Sequence, residues 1–107
     1  MGFFKKSFQK NVTRNNEFLK DYAVKCNGLS FYVEENEKVQ KELNALRDDF
    51  QYTVATNIRD AKSVEKKIKK DFDSLKLLLQ QDGWDEKEVL LLIRGLRTYI
   101  IEIASMR

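Results

Sequence analysis

Cys26 is the one thiol in the chain, and the chain contains no histidine. The commonest general base and the commonest neutral metal ligand are therefore missing, and nothing of that kind is present to activate Cys26 as a nucleophile. On the helical pattern described below, Cys26 falls on an apolar face, which predicts a buried structural thiol. Paired Glu-x-x-His ligands of a di-iron bundle cannot be formed, and no glycine-rich stretch is available to cradle phosphate. The carboxylates of "EENEKVQKE" interleave with lysines at helical spacing, Glu34 with Lys38 and Glu37 with Lys41, as expected of a solvated, salt-bridged face. These residues predict a protein that is not an enzyme, with no cofactor, no metal and no small-molecule substrate.

Two groups of residues are candidates for binding instead. Arg59, Lys62, Lys66, Lys69 and Lys70 fall on one side of a helix beside its apolar stripe, a patch suited to phosphates or to an acidic partner. A solvated lysine-rich face explains the same residues more simply, because the net charge is only +3 and no nucleic-acid motif accompanies them. At the N-terminus, Phe3, Phe4 and Phe8 alternate with Lys5, Lys6 and Lys10. That composition suits a short basic amphipathic element contacting a membrane surface or a partner; the plainer expectation is that the phenylalanines pack within the fold.

The elements that carry these residues are helical. Proline is absent, charged residues make up 35% of the chain and hydrophobic residues 42%. The charged share exceeds the roughly 25% of ordinary globular domains, and the apolar share is too high for a disordered chain. One all-helical domain over residues 1–107 follows. A lone cysteine excludes an intrachain disulfide and fits a cytoplasmic location. The segment "MGFFKKSFQK" lacks the apolar core of a signal peptide, Lys6 stands where a myristoylation motif requires Ser or Thr, and the longest apolar run, "VLLLI" at 89–93, is too short to cross a bilayer.

Two stretches punctuate the helices. Asn27-Gly28 is a helix-ending signal, with Gly28 suited to the left-handed conformation, Leu29 to a contact with Val24, and Ser30 to capping the next helix. In "QQDGWDEKEV", Gly83 ends one helix and Asp85 caps the next, Glu88 completing a capping box and Trp84 with Val89 a hydrophobic staple. Between them the apolar residues Leu29, Tyr32, Val39, Leu43, Leu46, Phe50, Val54, Ala61, Val64, Ile68, Phe72, Leu75 and Leu79 keep one helical phase. The stripe predicts a single long central helix over about residues 30–82, roughly 80 Å in length at about 1.5 Å per residue. Helices over about 3–27 and 86–106 would flank it, each antiparallel to it. Asn57 would lie on the stripe near its midpoint.

Three such helices leave apolar surface uncovered in each layer. Leu90, Leu91 and Ile101 fall outside the main stripe of the last helix and become a candidate oligomer interface, so this reading predicts a dimeric helical bundle with coiled-coil character. The alternative is a break near 53–57, giving a monomeric four-helix up-down bundle. The function expected is a non-catalytic helical interaction or structural protein, assembling as a homodimer or with a protein partner. A small four-helix binding or immunity-type protein that neutralises a partner is the second reading. Nucleic-acid or peripheral membrane binding through the basic patches is the third.

Overall fold

The computed structural model describes residues 2–55 and 61–105, with side chains from Val12 onward. The described residues form α1 (Gly2–Asn27), a short 3-10 turn (Ser30–Val33), α2 (Glu37–Tyr52), α3 (Lys62–Leu79) and α4 (Glu86–Ser105). The all-helical class is as expected. The long central helix and the three-helix architecture built on it are not, and the alternative with a break fits better.

The break has a local and a tertiary cause. Thr53 closes α2 with its N–H on the Asp49 carbonyl and turns the backbone extended, at φ −73°, ψ 130°. An extended backbone points successive side chains in opposite directions. Val54, placed on the stripe by its phase, is thus 65% exposed, while Ala55 beside it is fully buried. Asn16 of α1 then holds Ala55 at both ends. Its Oδ1 accepts the Ala55 N–H at 2.8 Å and its Nδ2 donates to the Ala55 carbonyl at 3.0 Å. A side-chain amide here replaces the helical partners that this backbone has lost. Two separate helices kept a common phase because both bury a face in the same core. Asn57 lies outside the described residues.

The other turns follow their signals in part. Gly83 takes φ 68°, the left-handed region where a Cβ is costly, and Asp85 Oδ1 accepts the Lys87 N–H at 3.3 Å, an N-cap bond. Gly28 does not adopt positive φ. The first helix ends instead on tight bonds from Gly28 N–H to Lys25 and from Leu29 N–H to Cys26. Leu29 enters the core and leaves Val24 exposed. The second helix is capped by Asn36, whose Oδ1 accepts the Val39 N–H at 3.1 Å, and Ser30 only opens the short turn before it. Glu34 therefore precedes the helix and does not form the expected one-turn pair with Lys38.

Helix α1 lies against α2, α2 against α4, and α4 against α3. Tyr22 meets Phe72 edge-on at 5.1 Å between ring centres, and Arg14 reaches Glu65, closing the ring of helices from α1 to α3. The chain runs up, down, up and down, and the α2–α3 connection joins helices on a diagonal. Ala55 and Ala61, on either side of that connection, are both fully buried. Leu19, Tyr22, Leu43, Leu46, Phe50, Ile68, Leu75, Ile93, Leu96 and Ile100 fill that core from all four helices. Such closure removes the reason for a second copy to cover α4. Leu90, expected at an oligomer interface, is buried within the bundle at 7% exposure, whereas Leu91 and Ile101 remain exposed.

Candidate functional site

Cys26 is buried at 1% exposure, and burial pushes its thiol up to about 12, against a smaller opposing effect of Arg47. A thiol so protonated is not a nucleophile at neutral pH. Tyr22, packed between Phe18, Phe50 and Phe72, is likewise raised, first by burial and then by the negative charges of Asp73 and Glu65. Both groups serve the core.

The expected basic face is divided by the fold. Arg59 lies outside the described residues. Lys62, Lys66 and Lys69 line a groove between α3 and α1 of about 460 Å³, and Lys70 is exposed but does not line it. Glu17, Asp21 and Glu65 line the same groove, with Phe18 and Arg14. Glu65 is nearly buried, bonded through Oε1 to Arg14 Nη2 at 2.6 Å. Alternating carboxylates and ammonium groups lower the field that a phosphate chain would meet. Helix α1 carries residues Phe3, Phe4, Lys5, Lys6, Phe8 and Lys10 in its first turns, but their side chains lie outside those described. Among the described residues no helix is long and apolar enough to cross a membrane, and no group of acidic, thiol or imidazole side chains has the arrangement of a metal site.

A different site is assembled where the two helical turns meet at the end of the bundle. Phe31 and Tyr32 come from the 3-10 turn, Leu79 from the end of α3, and Trp84 from the turn before α4. They line an open cleft of about 660 Å³. Phe31 is 73% exposed and stands edge-on to Tyr32, with ring centres 5.8 Å apart. Tyr32 and Trp84 are half-buried against the core, so the cleft has an anchored aromatic floor. Its remaining wall carries the carboxylates Glu34, Glu35, Asp82 and Glu86 with the amides Asn36, Gln80 and Gln81, and among the described residues no Lys or Arg lines it. The left-handed Gly83 and the Asp85 cap fix one side, and the Asn36 cap fixes the other.

Sequence reasoning explained Trp84 as a staple and "EENEKVQKE" as a solvated face, and did not join them. The joining signal is tertiary, since about fifty residues separate Phe31 from Trp84. The concentration of acids at 34–37 and 82–88, set against the basic N-terminal segment, was the one sign in the sequence. No known protein family, curated protein or solved structure matches this chain.

Proposed function

We propose that this chain is a non-catalytic helical interaction protein, working by contact with itself or with a protein partner through the turn-end cleft. The observation that carries the reading is the exposed Phe31, held edge-on to Tyr32, sharing one cleft with Trp84 and four carboxylates. Aromatic anchors on a rigid floor with a charged rim are the composition of protein-binding hot spots. Four-helix closure supports a compact binding module over a coiled-coil dimer, because the core is covered without a second chain. The mixed charge of the α1–α3 groove gives less support to nucleic-acid binding.

The experiment is photocrosslinking in the native cell, with a benzophenone side chain at position 31. Phe31 is exposed, so the replacement leaves the core intact. Discrete protein adducts at position 31, absent when the same group is placed at exposed Val24, are the expected result. Adducts to nucleic acid or lipid alone, or equal adducts at both positions, contradict the proposal.

A further inference from the structure

The cleft is lined by carboxylates and the N-terminal segment is basic in sequence, and the two lie at opposite ends of one chain. Helix α1 reaches the turn end at Asn27 and runs away from it. At about 1.5 Å per residue, Gly2 is then roughly 38 Å distant along the helix axis. Asn16 is level with Ala55, just beyond the end of α2. The residues of α1 that precede it therefore continue past α2 by several helical turns. In that segment the sequence places Phe4 and Phe8 one turn apart, and Lys6 and Lys10 likewise, with Lys5 between. The cleft at the other end offers aromatic surface and four carboxylates with no lysine or arginine among the described residues. The whole chain carries a net charge of +3, so this acidic end is a local reversal of sign.

We propose that the cleft receives the N-terminal turns of α1 from a second copy of this chain, so that copies associate head to tail. The proposal rests on the interaction reading above and names the partner. Phe4 and Phe8, on one helix face, would meet the Phe31, Tyr32 and Trp84 floor and Lys5 beside them the carboxylate rim, while Lys6 and Lys10 on the opposite face would add longer-range attraction. Such a contact is heterologous, with different surfaces on its two sides, so it leaves one cleft and one N-terminus unused in every open assembly. Association continues with concentration and does not stop at a two-fold dimer. Being charge-driven, it weakens with salt.

The test uses the full chain and a fluorescein-labelled peptide of residues 1–12, read by anisotropy at low ionic strength. Glu34 and Glu35 are exposed, so Glu34→Lys/Glu35→Lys is expected to fold normally, which circular dichroism checks. Saturable binding to the wild-type chain is expected, weakened at least tenfold by Glu34→Lys/Glu35→Lys. A peptide carrying Lys5→Glu, Lys6→Glu and Lys10→Glu should lose wild-type binding and regain it on the charge-reversed chain. No saturable binding, or equal binding to wild type and to Glu34→Lys/Glu35→Lys, overturns the proposal. So does a peptide that binds anionic vesicles and not the chain. If the peptide fails while position 31 still crosslinks to another protein in the cell, the interaction reading stands and self-recognition falls.

Discussion

Asn16 and Cys26 show how single side chains set this fold. The Asn16 amide satisfies both backbone groups of a buried residue, Ala55, where α2 has ended. Replacing it with alanine leaves a buried N–H and carbonyl without partners, at a cost of about 2 kcal/mol. Chemical denaturation of Asn16→Ala should show that loss with unchanged helix content; a loss below about 0.5 kcal/mol would mean the contact does not fix the connection. Cys26 makes a prediction in pH. The folded thiol keeps its proton up to about 12, whereas an ordinary thiol loses it near the reference value of 9.0. Between those values the unfolded chain releases a proton that the folded chain holds. The contribution to stability is therefore complete below pH 9 and is lost as pH rises towards 12. Denaturation midpoints should fall more steeply over that window in the wild type than in Cys26→Ala. Native Cys26 should also resist a disulfide reagent at pH 8 that reacts at once with the unfolded chain. Equal pH slopes, or fast native labelling, would contradict its burial.

At the scale of elements, local signals were legible and long-range ones were not. Bounds for α1 and α4 could be read from Asn27-Gly28, Gly83 and Asp85 because ends and caps involve neighbouring residues. Most of the predicted stripe is buried, from Val39 to Phe50 and from Ala61 to Leu79. The break between those halves was legible only as the alternative near 53–57, because a side chain from α1 specifies it and apolar phase alone does not register it. Proline separates the two architectures. Thr53 already has the extended backbone that suits a residue before proline, and the Val54 N–H makes no hydrogen bond among the described residues. Val54→Pro should then cost less than about 1 kcal/mol. Ala55→Pro removes the N–H held by Asn16 and should cost about 1–3 kcal/mol. A loss of 3 kcal/mol or more at Val54 would instead indicate a helix running through the position.

Taken whole, the molecule is a rod of 56 × 20 × 18 Å with unlike ends. One carries the start of α1, with its lysines and phenylalanines in sequence. The other carries the aromatic cleft and its carboxylates. This polarity, more than the basic face anticipated on α3, is what the fold makes of a modest net charge. The cleft was only partly legible beforehand, because Phe31, Tyr32 and Trp84 are brought together by two turns far apart in sequence. Along the rod's flank, Arg97 of α4 joins Asp49 of α2 at 2.6 Å and Glu42 at 3.6 Å. These pairs tie helices of one copy together. Sedimentation velocity of the full chain, over a hundredfold concentration range at low and high salt, tests head-to-tail assembly directly. At low salt the weight-average sedimentation coefficient should rise continuously with concentration, and at about 0.5 M salt, where the screening length is only a few ångströms, it should return to the monomer value. A monomer at every concentration in low salt, or a fixed dimer indifferent to salt, would contradict head-to-tail assembly through the cleft.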